Sequence, residues 1–181
     1  MKKNIEIEFK TQIDENTYNQ LLHKYNLKSS QFHQTNYYFD TDSLDLLNRY
    51  ITLRIRVKKD SVKLTLKERA IEGSLEEHYI IDDTKSAKLL KEGFNTSTFF
   101  PQINYDVKYL TKLDNYRITM LYENGIIFFD KSTYNGITDY EIEYEHGNYE
   151  VGLNNFNKFL MENNLKLIKM NKKSYRALTT R

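Results

Sequence analysis

The sequence predicts an α+β fold, in which an antiparallel β-sheet curls into a barrel and a few helices pack outside it. Three observations carry this. Eight short segments alternate apolar with polar or charged side chains at period two, the mark of strands whose two faces meet different surroundings. Helical spacing is confined to three stretches. The 181 residues include 15 Tyr and 10 Phe, enough apolar bulk for a core despite 29% charged residues, so residues 1–181 read as one domain.

In chain order the strands fall at 5–10, 35–39, 50–58, 61–69, 75–81, 116–121, 126–130 and 139–145, enough to close a sheet. The first sets Ile5, Ile7 and Phe9 against Glu6, Glu8 and Lys10. A helix at 15–25 follows, with Asp14 as its N-cap and Tyr18, Leu21, Leu22 and Tyr25 on one face. The aromatic residues of 35–39 suit packing, and Asp40 suits turn geometry. Leu53, Ile55 and Val57 oppose Arg54, Arg56 and Lys58; Val62, Leu64 and Leu66 then oppose Lys63, Thr65, Lys67 and Arg69. Gly93 closes a helix at 84–92. Later strands carry Arg117 and Asp130, and then Glu141, Glu143 and Glu145 opposite Tyr140, Ile142 and Tyr144. The last helix, 149–163, repeats Val151, Phe156, Phe159 and Leu160, and the closing stretch reads as a basic tail.

The polar strand faces are unusually pure in sign. Like charges two residues apart on one face repel, so such rows are costly unless opposite charge lies among them. A ligand can supply it. Carboxylate rows suit a hard cation such as Mg²⁺ or Mn²⁺, and rows of Arg and Lys grip phosphate oxygens. Rows of opposite sign on facing walls of one barrel would bind a metal-chelated polyphosphate inside a polar tunnel with an apolar jacket.

Composition narrows the alternatives. A net charge of +2 gives little support to broad capture of nucleic acid, and the acidic rows would repel a phosphate backbone. No cysteine is present for a thiolate nucleophile, a disulfide or a cysteine zinc site. His23, His33, His78 and His146 lack metal-ligand spacing, and there is neither a P-loop nor a nucleophile elbow. The start carries no apolar leader core, and no apolar run is long enough to span a bilayer, so the expectation is a cytoplasmic protein without membrane contact.

The segments EIEFK (6–10 within it), YYFDT at 37–41, LRIR at 53–56, LTLKE at 64–68, Glu76, Arg117, Asp130, EIEYE at 141–145 and NKKSYRAL at 171–178 occur in one order. Together they resemble the CYTH superfamily, the triphosphate tunnel metalloenzymes, and within it the small stand-alone bacterial members of Firmicutes type. The resemblance implies an eight-stranded antiparallel tunnel that holds a linear triphosphate, with Mg²⁺ or Mn²⁺ as cofactor. It implies Glu6, Glu8, Glu141 and Glu143 as metal ligands, joined by Glu76 and Asp130, with Glu145 as a third of the later row. Lys10, Arg54, Arg56, Lys67, Arg117 and Lys173 would bind phosphate, and Lys63 extends that set. Catalysis would centre on Glu6, Glu8, Lys67, Glu141 and Glu143. Lys173 lies three residues before Arg176, but adjacent Lys172 leaves the register there open, and His78 shares the parity of Glu76.

The activity this implies is metal-dependent hydrolysis of inorganic tripolyphosphate or of a nucleoside or thiamine triphosphate by direct attack of water. The alternatives are an adenylate cyclase on the same scaffold and a non-catalytic polyphosphate- or nucleotide-binding module. The expected partner is a small-molecule triphosphate, and the expected state a monomer or homodimer.

Overall fold

The computed structural model describes residues 2–27 and 31–180. Its elements are β1 (Lys2–Glu6), β2 (Glu8–Ile13), α1 (Glu15–Lys24), β3 (Phe32–Asp40), α2 (Asp45–Asn48), β4 (Thr52–Lys58), β5 (Ser61–Arg69), β6 (Ser74–Ile80), α3 (Asp83–Glu92), β7 (Phe94–Asn95), β8 (Asp106–Tyr122), β9 (Gly125–Tyr134), β10 (Ile137–Glu145), α4 (Tyr149–Glu162) and α5 (Lys173–Thr179). The sheet runs β1-β6-β5-β4-β3-β8-β9-β10-β2, with β7 pairing β8 off this path. Nine strands therefore line the path where eight were expected.

The extra strand has a simple origin. The segment expected as one strand at 5–10 breaks at Ile7, and its halves pair with opposite ends of the sheet: β1 with β6, β2 with β10. Chain continuity across Ile7 thus joins the two ends and nearly closes the barrel. Residues 166–168 lie along the remaining edge, where the Gln12 amide donates to the Ile168 carbonyl at 3.2 Å and the Ile168 amide to Thr11 Oγ1 at 2.8 Å. Gly73, in the turn between β5 and β6, abuts the break. Its φ is +87° and a Cβ there would lie 2.1 Å from the Glu6 carbonyl oxygen, so only glycine fits.

The apolar strand faces point outward beneath the helices, as alternation required. α1 and α4 cover Ile118, Ile127, Phe129, Ile142 and Tyr144 with Tyr18, Leu21, Leu22, Phe156, Phe159 and Leu160. Leu53, Ile55, Leu64 and Leu66 pack with Leu89 of α3 and with Phe99, Phe100 and Val107. Each fully buried side chain of this kind contributes about 1.5–3 kcal/mol. Helix α1 begins at Asp14, whose carboxylate accepts from the Thr17 amide, and α3 ends at Gly93.

Two elements differ from expectation. β8 starts ten residues before 116, because its first half turns Thr111, Leu113 and Asn115 inward and lacks an apolar-charged alternation. The closing stretch folds as α5, whose Ala177 and Leu178 pack with Tyr38, Leu113 and Tyr134 across one end of the barrel. Ser174, Ala177 and Leu178 stand at helical spacing within what reads as a basic tail. Asp40 does serve local geometry: its carboxylate accepts from the amides of Thr41, Leu46 and Leu47, which anchors α2.

Candidate active site

Inside the barrel lies a cavity that opens to solvent at its mouth. Its wall carries Glu6, Glu8, Lys10, Arg54, Arg56, Lys67, Arg117, Glu143 and Lys173, nine of the residues singled out from sequence, together with Glu145 and Lys172. The glutamate and the arginine and lysine rows therefore face each other across an enclosed space. Strand parity puts them there. Glu6 and Glu8 straddle the Ile7 break, Arg54 and Arg56 alternate with outward Leu53 and Ile55, and Glu143 and Glu145 alternate with outward Ile142 and Tyr144.

The cations bind the acids in two groups. Lys67 Nζ lies 2.8 Å from Glu6, 3.4 Å from Glu8 and 3.3 Å from Glu76, and Arg54 reaches Glu76 at 3.5 Å. Lys10 lies 3.5 Å from Glu8. Burial alone would raise the Glu8 carboxyl, but Lys67 and Lys10 bring it down to about 2. In the second group, Arg117 grips Asp130 with two donors at 2.7 and 2.6 Å and reaches Glu143 at 2.5 Å. Lys173 Nζ lies 2.7 Å from Asp130 and 2.9 Å from Glu143, and also donates to Glu141. Burial disfavours the charged forms of Asp130 and Glu143, yet Arg117 and Lys173 hold both below the usual carboxylate range.

Glu76, Asp130 and Glu141 sit behind this wall, held by the cations in front of them. Glu141 is 1% exposed and is bound by Arg176 as well as Lys173. Lys63 lies opposite Arg56 on the β4–β5 pair but off the cavity wall, and His78, opposite Thr65, is off it too. At the C-terminal end both lysines reach the cavity. Lys173 enters the carboxylate group, whereas Lys172, just before α5, forms no ion pair among the described residues.

Sequence reasoning did not find Tyr38, Thr52, Phe128 and Ser174 on the wall. Thr52 and Ser174 share a 2.8 Å hydroxyl hydrogen bond that ties β4 to α5, and the Arg117 guanidinium lies 4.1 Å over the Phe128 ring. The parity of Thr52 with Arg54, and of Phe128 with Asp130, marks both as inward; no comparable signal marked Ser174, because its helix was not expected.

Among the described residues one group of carboxylates comes close enough together to take a hard cation. Asp130, Glu141 and Glu143 each offer an oxygen within 4.8 Å of the others, although the Lys173 ammonium already lies among them. A second set of carboxylates, Glu6, Glu8 and Glu145, lines the cavity wall. Glu145 stands directly opposite Glu8 on the β10–β2 pair, has no ion pair among the described residues, and is pushed up by burial and by Glu6 and Glu8. Glu8 already carries Lys10 and Lys67, whereas Glu145 faces it with no cation of its own, and all the donors are carboxylate oxygens, the chemistry that suits Mg²⁺-like ions.

Arg56 is the counterpart among the cations. Its Nε donates to Asn36 Oδ1 at 2.8 Å, no carboxylate lies within ion-pair distance among the described residues, and burial with Arg54 and Arg117 nearby lowers it to about 9. A half-buried guanidinium with like charges beside it and no carboxylate partner calls for an anion.

An antiparallel barrel with acidic and basic rows facing one internal cavity is the architecture of an anion-binding tunnel. The family follows from comparison: a model described as the CYTH domain matches residues 4–178, and the chain belongs to that family. It is 34% identical over 167 residues to YjbK of Bacillus subtilis (strain 168), provisionally named a triphosphatase, covering 90% of this chain and 88% of that protein. A Bacillus halodurans crystal structure, provisionally named an adenylate cyclase, aligns with a TM-score of 0.89 at 28% identity, over 97% of this chain and 98% of that one. The Hippeastrum protein HpAC1, provisionally an adenylyl cyclase and described as having a dominant triphosphatase activity, shares the fold with a TM-score of 0.73 at 20% identity, over 96% and 95% of the two chains. Among the described residues no helix is long and apolar enough to cross a membrane.

Proposed function

We propose that this protein hydrolyses a linear triphosphate bound in the tunnel, with Mg²⁺ or Mn²⁺ as cofactor. The observation that carries the reading is a pair of unmatched charges in one cavity: Arg56 without a carboxylate, and Glu145, opposite a Glu8 that Lys10 and Lys67 already hold, without a cation of its own. A metal-chelated phosphate chain satisfies both. The name of YjbK supports the same activity.

In this reading Glu6, Glu8 and Glu145, with Glu143 beside them, hold the cation, and Glu76, Asp130 and Glu141 hold the cationic wall in place. When bound, the cation supplies polarisation of a water molecule and screening of phosphate oxygens. Arg56, with Nε committed to Asn36, keeps its terminal donors for phosphate oxygens, while Lys67, Arg54 and Arg117 fix charge along the chain. The wall carries no cysteine or histidine among the described residues, and its aliphatic hydroxyls, Thr52 and Ser174, bond each other without a base. Direct attack of water is therefore favoured over a covalent intermediate.

The name of the Bacillus halodurans relative favours a second reading, conversion of ATP to a cyclic nucleotide. Phosphate release and cyclic nucleotide formation, assayed together on tripolyphosphate, ATP and thiamine triphosphate with each metal, separate the two. Glu8→Gln is expected to lower turnover at least about a hundredfold while the protein stays folded. Full activity in that variant sinks the hydrolase reading, and tight binding without product in the wild type identifies a binding module.

A further inference from the structure

Most cations on the cavity wall are backed by acid. Lys10 and Lys67 meet Glu8, Arg54 meets Glu76, and Arg117 and Lys173 meet Asp130. Arg56 is backed by something else. Strand register sets Asn36 of β3 on one side of it and Lys63 of β5 on the other, so neither cross-strand neighbour is a carboxylate. Asn36 is 1% exposed and its Oδ1 accepts from Arg56 Nε at 2.8 Å, whereas its Nδ2 has no hydrogen-bond partner among the described residues. Neutral amides continue along this face: Gln34, two residues away on β3, and Asn115, opposite Gln34 on β8, are buried to the same degree.

We infer that Asn36 is a positioning residue for Arg56: it orients the guanidinium as a carboxylate would, yet leaves its charge uncancelled. This rests on the triphosphate reading of the tunnel and deepens it. An oxygen bound to Nε fixes the plane of the guanidinium and with it the direction of the two terminal nitrogens. Aspartate has nearly the same shape and would fix that plane equally well, but it would also pair with Arg56, and an arriving phosphate would then compete with a carboxylate already in place. A neutral amide sets up no such competition. The amide also has one workable orientation, because an NH₂ group turned toward Arg56 would set donor against donor, and Nδ2 makes no bond that would hold it there. The other wall cations are anchored by acid; Arg56 is aimed without being neutralised.

Calorimetric titration of metal-free protein with tripolyphosphate tests this, using wild type, Asn36→Leu, Asn36→Asp, Arg56→Met and the double variant Asn36→Leu with Arg56→Met. Thermal melts establish that each protein is folded, and Asn36→Ala and Arg56→Gln replace Asn36→Leu and Arg56→Met if those are not. Asn36→Leu is expected to lose about tenfold in affinity when Arg56 is present and less than about twofold in the Arg56→Met background, since Asn36 acts through Arg56. A merely structural asparagine gives the same loss in both backgrounds, and that result overturns the inference, as does wild-type affinity in Asn36→Leu. Asn36→Asp is expected to fold, because its carboxylate meets a guanidinium that lacks one, and to bind at least about tenfold more weakly than wild type. An Asn36→Asp protein that is unfolded, or that binds as tightly as wild type, overturns the role given to the neutral amide. Wild type that does not bind tripolyphosphate overturns the triphosphate reading itself, an outcome read before any variant is compared.

Discussion

Glu8 and Glu145 face each other on adjacent strands yet contribute oppositely to stability. Burial raises both carboxyls, but Lys67 and Lys10 bring Glu8 down to about 2, whereas Glu145, near Glu6 and Glu8, stays above its ordinary value. In metal-free protein at pH 7, Glu8→Gln is expected to lower the melting temperature, and Glu145→Gln to raise it by about 2–4 °C while weakening Mg²⁺ binding. Calorimetric melts with and without Mg²⁺ check both signs; a lower melting temperature for metal-free Glu145→Gln defeats the assignment. Acid acts through the depressed group. The unfolded chain takes up this proton near pH 4.5 and the folded one only near 2, so the stabilisation from Glu8 is full above pH 4.5 and is lost as pH falls through that window. A pH series of melts on wild type should decline more steeply there than one on Glu8→Gln. The residue types of this site were legible from alternation, but their ionic partners were not, because Lys67 meets Glu6 across 61 positions of chain and Arg117 meets Glu143 across 26.

At the level of elements, the break at Ile7 and the helix α5 decide how the barrel closes. Gly73 makes room for the break, and Gly73→Ala puts a methyl group against the Glu6 carbonyl at a positive φ. The expected cost is about 1–3 kcal/mol, with Glu6 displaced from Lys67 and a matching loss of activity. Denaturant titration and phosphate release measure the two together; wild-type values for both refute the role given to this turn. The first strand looked continuous because alternation persists through Ile7, and only the change of partner from β6 to β10 reveals two strands. α5 was hidden for the opposite reason: its few apolar residues follow two lysines, and charge dominates the local pattern. α1 and α3, by contrast, lie within a residue of where their caps put them.

The whole molecule is a sheet turned inside out relative to an ordinary barrel, with ions within and aromatic side chains without. Buried ion pairs are weak contributors to net stability, since desolvation offsets much of their attraction, so the outer apolar layers around α1, α3 and α4 carry the fold. The interior is correspondingly responsive to ligand. Mg²⁺ together with a slowly turned-over triphosphate is expected to stabilise the protein by about 2.7 kcal/mol at a hundred times its dissociation constant, and chelation should remove most of that gain. A differential scanning experiment with no shift on addition or chelation would count against the metal-chelated ligand. Alternation of side chains is a local property, so the sequence alone determined which face of most strands turns toward the tunnel and that the two signs lie on separate strands; their order along the chain carried the likeness to the CYTH superfamily. Tertiary structure alone decided which tunnel charges neutralise one another, that Lys173 is bound while Lys172 and Arg56 are not, and where the two ends of the sheet meet. Those outcomes depend on register and packing between segments far apart in the chain, and no local period encodes them.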